Sequence, residues 1–139
     1  MPDFEPGQRA TFAKTITERD IYAFAGITGD FNPLHVDAEY AARSRFGARI
    51  AHGMLTAGLI SAVLGMRLPG PGGIFLSQSL KFVKPVRIGD TVTDSAEVVS
   101  YRPDKRILTL KTVCQNQRGE VVVDGESVLL MEPVPEPPG

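Results

Sequence analysis

Apolar and polar positions change their spacing along the chain after the PGPGG sequence at residues 69–73. Before it, apolar residues such as Ile21, Phe24 and Ala25 recur three and four positions apart, which is the spacing of one helical face. After it, the segments are rich in β-branched and aromatic residues and are separated by the turn sequences RIGD, RPDK and QRGE. This pattern predicts helices followed by an antiparallel sheet. Strands are predicted at residues 9–15, 74–86, 91–101, 106–115 and 120–131.

The first helix has recognisable start and stop signals. Thr17 is a typical N-cap residue, and Asp20 occupies the third helical position after it. We therefore expect a helix that continues to about Thr28. Gly29 ends it, because glycine readily takes the left-handed conformation that follows many helix C-termini.

The most apolar helix is predicted at residues 53–66, GMLTAGLISAVLGM. It contains no charge, and its apolar residues lie all round its axis, which is typical of a helix buried on every side. Arg67 and PGPGG end it short of the roughly 20 apolar residues that a membrane span needs. An apolar helix enclosed by an antiparallel sheet is an α+β architecture, the hotdog fold. We expect one such domain, with its core at about residues 7–132 and a Pro-rich tail at 133–139.

Composition narrows the function classes. The chain has 139 residues, which suits one domain, and 15 basic residues nearly balance 16 acidic ones without a run of like charge. We therefore expect neither a nucleic-acid partner nor a membrane partner. The single Cys114 has no partner for an internal disulfide and is expected in the core, which favours a reducing compartment. The start MPDFEPGQRA does not resemble a signal peptide, so we expect a cytoplasmic protein.

The segment ITGDFNPLHVDAEYA, residues 27–41, places Asp30, Asn32 and His35 in a turn. Asp37 predicts the cap of a second short helix that follows this turn, over residues 38–43. A carboxylate and an imidazole on one stiff Asn-Pro turn can converge on a single water, which suits the addition of water to a double bond. The spacing alone equally fits an aspartate that caps its own backbone and a histidine that lies on the surface.

Gly53 begins the apolar helix, where unpaired backbone N–H groups and the helix dipole attract negative charge. Without a side chain it would let a thioester carbonyl approach closely, although a glycine chosen for packing also fits. His52 is expected to shape this turn by packing or hydrogen bonding, and Ser61 either touches a ligand or bonds back to the preceding turn. No metal site is predicted, because His35 and His52 lack i, i+4 spacing and have no carboxylate cluster, HExxH motif or cysteine pair with them.

Three sequences, FAGITGDFNPLHVDAEYA, AHGML and SLKFVKPVRIGDTV, carry a resemblance to a known family. Between about residues 7 and 131 the chain resembles the MaoC-type hydratases, specifically the small (R)-specific enoyl-CoA hydratases. The resemblance implies a homodimer that reversibly hydrates trans-2-enoyl-CoA to (R)-3-hydroxyacyl-CoA with no cofactor or metal, in fatty-acid metabolism or polyhydroxyalkanoate precursor supply. It makes Asp30 and His35 the catalytic pair, makes the Gly53 N–H the oxyanion donor, and places Asn32 and Ser61 in or beside the site.

The expected reaction is a syn addition in which the pair holds one water over C3 while the Gly53 N–H stabilises the enolate-like oxygen. Bulky apolar residues predict a pocket for short to medium acyl chains, lined by Leu59, Val63, Leu64 and Leu129. Two alternatives remain open: a hotdog acyl-CoA thioesterase, which sends water to the thioester carbon, and a non-catalytic acyl-CoA-binding protein.

Overall fold

The computed structural model describes residues 3–138. The strands are β1 Arg9–Thr15, β2 Gly73–Phe82, β3 Thr91–Arg102, β4 Ile107–Gln115 and β5 Val121–Met131. The helices are α1 Glu18–Thr28, α2 Pro33–Val36, α3 Ala38–Ala42 and α4 Gly53–Met66. All five strands join one antiparallel sheet in the order β1-β3-β4-β5-β2.

Helix α4 packs against β1, β2, β3 and β4, and the main hydrophobic core lies between this helix and the sheet. Alternate residues of the strands point inward, so β3 contributes Val92, Ala96 and Val98, while β4 contributes Leu108 and Leu110. A central apolar helix wrapped by an antiparallel sheet confirms the predicted α+β hotdog architecture. Within residues 3–138, no helix is both long enough and apolar enough to cross a membrane.

The prediction that α4 is buried on every side is wrong for the chain by itself. One side of the helix packs on the sheet, whereas Met54, Gly58, Ser61 and Gly65 are exposed. Three of these four residues are small, and they follow one another at intervals of three and four positions, so they form one continuous stripe. The sequence pattern did not reveal this stripe, because glycine and serine do not read as a polar face.

The start and end of α1 confirm the sequence prediction. The Thr17 hydroxyl accepts the Asp20 backbone N–H at 3.2 Å, and the Asp20 carboxylate accepts the Thr17 backbone N–H at 2.9 Å, which completes a capping box. Gly29 closes the helix with φ of 84°, the left-handed conformation that a side chain disfavours. The Asp37 carboxylate caps α3 by accepting two backbone N–H groups, as expected.

Strand β2 ends at Phe82, four residues before the predicted end at residue 86. Pro85 has no N–H to donate to a sheet ladder, so the strand cannot continue through it. The chain instead pairs with the segment that precedes α4, where the Ala51 N–H donates to the Val86 carbonyl at 2.7 Å. This pairing anchors the amino end of α4 to the sheet.

Cys114 is buried and unpaired, as predicted, and it lies beside a second buried polar residue. Asp94 is its direct neighbour across β3 and β4, and the Asp94 side chain is fully buried. Neither carboxyl oxygen of Asp94 has a hydrogen-bond partner among residues 3–138. Burial raises the pKa of Asp94 to about 7, with the Cys114 thiol offsetting part of the rise. Burial, and then the charge of Asp94, raises the pKa of the thiol as well.

Candidate active site

The turn between α1 and α2 holds the Asp30 carboxylate by local hydrogen bonds. The Asp30 N–H donates to the Thr28 hydroxyl at 3.2 Å, and the carboxylate oxygen Oδ1 accepts the Asn32 N–H at 3.1 Å. The Asn32 side chain in turn accepts the Leu34 N–H at 3.0 Å and so caps α2. The Asp30 residue is exposed, and its other oxygen Oδ2 accepts no hydrogen bond within the described part of the chain, which leaves it available to a water.

His35 lies in the one-turn helix α2, whereas the sequence predicts a turn at this position. The Asn32 cap and the fixed φ of Pro33 at the first helical position explain this short helix. His35 is buried, and its Nδ1 lies 2.8 Å from the Ile50 carbonyl oxygen. Because a carbonyl only accepts, Nδ1 carries the proton and Nε2 remains to exchange a proton with a substrate water.

His52 contacts both Asp30 and His35. Its Nε2 donates to the backbone carbonyl of Asp30 at 2.9 Å, and its ring stacks on His35 with centroids 3.9 Å apart and planes inclined by 28°. Phe24 packs against the same ring at 4.7 Å. The packing and the hydrogen bond expected of His52 are therefore both present.

The fold brings the three side chains together. A carboxylate oxygen of Asp30, a ring nitrogen of His35 and a ring nitrogen of His52 all lie within 4.8 Å of one another. Two groups separated by up to this distance can be bridged by one water whose hydrogen bonds have ordinary lengths of about 2.8 Å. The arrangement can therefore hold a single water between a carboxylate and an imidazole.

The sequence shows no cluster of metal ligands around His35 and His52, whereas the fold brings a carboxylate oxygen of Asp30 within 4.8 Å of both. The donor set nevertheless fits a metal ion poorly. His35 Nδ1 and His52 Nε2 both face carbonyl oxygens, and the two rings stack nearly in parallel. Nitrogen lone pairs lie in the ring planes, so the two stacked rings hold theirs in separate, nearly parallel planes, which disfavours a shared metal ion.

Gly53 is the first residue of α4, directly after His52, so its backbone N–H has no partner in its own helix. It lines a cleft of about 340 Å³ together with Thr56, Phe82 and Val123. A Cβ at position 53 would lie 2.8 Å from the Phe82 ring, so any side chain there would require that ring to move. The buried Thr56 hydroxyl has no hydrogen-bond partner among residues 3–138.

Charged residues lie at the edge of the same cleft. Arg45 and Lys84 contribute to its lining, and Lys84 forms an ion pair of 2.5 Å with Glu120. Hydrogen bonds from Lys84, Asn116 and Arg118, in that order of effect, lower the pKa of Glu120 to about 2. The carboxylate thus offsets the charge of Lys84 at the cleft.

The remaining predicted site residues lie elsewhere. Ser61, Leu64 and Leu129 line a separate small cavity of about 70 Å³, which shares no lining residue with the cleft at Gly53. Leu59 and Val63 lie on the opposite side of α4, in the hydrophobic core, and do not line that cavity. The helical period explains the separation, because residues 59 and 63 lie roughly half a turn from residues 61 and 65.

Sequence reasoning missed the groups that hold the site in place. The Ile50 carbonyl orients His35, and the Phe82 ring packs on Gly53. A backbone carbonyl is the same in every residue type, and Phe82 reads as an ordinary strand residue. No signal in the sequence could have assigned either role.

Comparison with known proteins gives a consistent result. The MaoC like domain model matches residues 3–121. The chain is 54% identical over 129 residues to an (R)-specific enoyl-CoA hydratase of Rhodospirillum rubrum, covering 93% of this chain and 89% of that protein. It is 50% identical over 127 residues to a 3-hydroxybutyryl-CoA dehydratase of Methylorubrum extorquens, with 91% and 80% covered.

Solved structures agree with these relatives. The (R)-hydratase from A. caviae involved in PHA biosynthesis superposes with a TM-score of 0.90 at 45% identity, covering 94% of this chain and 99% of that one. The unliganded R-hydratase PhaJ1 from Pseudomonas aeruginosa superposes with a TM-score of 0.88 at 43% identity, with 98% and 91% covered. Since the family model spans most of the chain and the two relatives match over 80% or more of their lengths, the chain belongs to the MaoC-like domain family.

Proposed function

We propose that this protein is an (R)-specific enoyl-CoA hydratase, which reversibly adds water to trans-2-enoyl-CoA to form (R)-3-hydroxyacyl-CoA. One observation carries the proposal: Asp30 and His35 lie within water-bridging distance of each other, next to the amino end of α4. The names of the similar hydratases from R. rubrum and A. caviae support the same reaction. The substrate is a coenzyme A thioester, and the chemistry uses protein groups without a cofactor.

The reaction follows from the positions of these groups. Asp30 and His35 hold one water over C3 and take one of its protons as the oxygen bonds to C3. The π electrons move to C2 and the thioester oxygen, where the Gly53 N–H and the positive end of the α4 dipole stabilise the enolate. The proton then returns to C2 from the same face, which makes the addition syn. The pair ends in its starting protonation state.

His35 takes part with Nε2. Its Nδ1–H is committed to the Ile50 carbonyl, so the neutral ring presents Nε2 as a proton acceptor. Asp30 Oδ2 is a second acceptor on the same water. Asp30 and His35 therefore act together on one water.

The assay is loss of the ultraviolet absorbance of the conjugated enoyl thioester when the protein is added to crotonyl-CoA. We expect the absorbance to fall without release of free thiol, and the product to be the (R)-3-hydroxy isomer. Release of free coenzyme A would indicate a thioesterase instead. Binding of crotonyl-CoA with unchanged absorbance would indicate a non-catalytic acyl-CoA-binding protein.

The functional unit in this proposal is a homodimer. Strand β2 is an edge of the sheet, and it exposes Ile74, Phe75 and Leu76 to 51%, 44% and 52%. An apolar edge strand with unpaired backbone groups is a surface that a second copy can cover. Light scattering should give twice the monomer mass, and Ile74→Lys should weaken the association.

The proposed setting is the cytoplasm, supported by the buried, unpaired Cys114. The (R)-3-hydroxyacyl-CoA product would serve a polyester route such as the PHA biosynthesis named for the A. caviae hydratase. Cell fractionation followed by the crotonyl-CoA assay tests the location.

A further inference from the structure

His52 occupies a position that an ordinary helix start does not explain. It is the N-cap of α4, yet its side chain makes no cap hydrogen bond to the helix. It is 2% exposed, and its Nδ1 is buried without a partner among residues 3–138. A serine or aspartate would cap the helix better, so the imidazole serves contacts outside α4.

Those contacts reach both members of the proposed catalytic pair. The Nε2–H donates to the Asp30 carbonyl at 2.9 Å, across 22 positions of sequence. The ring lies against His35 at 3.9 Å between centroids. One side chain thus joins the turn that carries the carboxylate, the imidazole, and the amino end of α4.

The position of Asp30 depends on the hydrogen bond from His52, because Asp30 is not held in place by burial. The residue is exposed, and its own hydrogen bonds run to Thr28 and Asn32 within the same turn. Only the bond from His52 links its backbone to the rest of the fold, among the hydrogen bonds of residues 3–138. A shift of about 1 Å in a reacting group can lower a rate about 100-fold.

We infer that His52 is a positioning residue for hydration: its Nε2–H fixes the Asp30 turn so that the carboxylate and His35 face one water. This inference rests on the proposed function. His52 does not take a proton from the substrate. It acts through Asp30, and its stacked ring keeps the His35 ring in the same orientation.

Two variants separate the hydrogen bond from the ring. His52→Phe keeps an aromatic ring against His35 and removes the donor, so we expect kcat to fall about 10- to 100-fold while KM for crotonyl-CoA changes less than about threefold. His52→Gln places an amide N–H near the position of Nε2, and we expect it to recover kcat to within about fivefold of wild type. Loss of kcat at constant KM with rescue by glutamine is not expected from a purely structural role.

A double-mutant cycle tests whether His52 acts through Asp30. In an Asp30→Asn background the carboxylate is already lost, so adding His52→Phe should lower kcat by less than about threefold. Ile60→Val is the matched control: Ile60 is buried on α4 outside the site, so this variant should lower stability and leave kcat unchanged. Circular dichroism and urea unfolding of each variant establish that it is folded at the assay temperature.

The outcomes are distinct. If His52→Phe is folded and its kcat lies within threefold of wild type, the inference is overturned. It is also overturned if the loss of kcat is equally large in the Asp30→Asn background, or if glutamine gives no recovery. The wild-type protein is assayed first. If it does not hydrate crotonyl-CoA, the proposed function itself is refuted.

Discussion

Replacing Asp94 by asparagine should make the stability of the protein less dependent on pH. The carboxyl is fully buried without a hydrogen-bond partner in residues 3–138, and its pKa rises from 3.8 to about 7 on folding. Below about pH 4 the group is protonated in both the folded and the unfolded state, so it does not make the free energy of unfolding depend on pH. As the pH rises from about 4 to 7, the unfolded state loses its proton first, and the folded state is therefore destabilised.

The size of the effect follows from the same shift. A rise of roughly three pKa units corresponds to about 4 kcal/mol at 1.36 kcal/mol per unit. Asparagine has no charge to bury, so the free energy of unfolding of Asp94→Asn relative to wild type should increase by about 4 kcal/mol between pH 4 and pH 8. Any constant cost of the buried amide cancels in this difference.

Urea unfolding followed by circular dichroism measures the quantity directly at pH 4, 6 and 8, at one fixed protein concentration. Cys114→Ala removes the neighbouring thiol and keeps the carboxyl. The free energy of unfolding of this variant should therefore still fall as the pH rises from 4 to 8, as in wild type. Asp104→Asn, at an exposed turn, should follow wild type at every pH. A stability difference between Asp94→Asn and wild type that stays constant within about 1 kcal/mol would refute the reasoning.

Three further predictions concern the acyl cavity, the first helix and the edge of the cleft. Leu64→Ala should enlarge the small cavity beside Ser61 and shift the kcat/KM profile toward longer enoyl-CoAs, and an unchanged profile would remove Leu64 from the acyl site. Thr17→Ala removes the capping box of α1 and should lower the free energy of unfolding by about 1 kcal/mol in urea, whereas a loss below about 0.3 kcal/mol would mean that the cap contributes little. The Glu120 carboxylate should titrate near pH 2 by NMR in wild type, and at a higher pH in Lys84→Met, which lacks its ion pair; equal midpoints would contradict the assigned cause.

Sequence patterns predicted most of the fold because its determinants are local. Capping residues defined α1 and α3, and the change from helical spacing to strand-rich segments marked the start of the sheet. The misses also have local causes. Pro85 ended β2 early, and the four-residue helix α2 is too short to leave a periodic signal. The exposed stripe at Ser61 leaves no polar pattern in the sequence, because its four residues are uncharged and three of them are small.

The candidate site was only partly predictable. Asp30 and His35 stand five positions apart, so one turn could be expected to bring them together. The stacking of His52 on His35 depends on how α4 docks against that turn, and the Ile50 carbonyl acts through a backbone atom that every residue has. The four residues predicted for the acyl pocket do not lie together: Leu64 and Leu129 line the small cavity, whereas Leu59 and Val63 lie in the hydrophobic core. Apolar residues on a central helix do not reveal which side faces a ligand.

The central claim is that Asp30 and His35 act together on one water, and kcat for crotonyl-CoA hydration tests it most directly. Asp30→Asn and His35→Gln should each remain folded and lower kcat by about 10² to 10⁴, the range for losing positioned acid–base help. The double variant should be little slower than the slower single variant, because groups that act as a unit are not additive. A folded Asp30→Asn or His35→Gln protein that turns over crotonyl-CoA at nearly the wild-type rate would contradict the account.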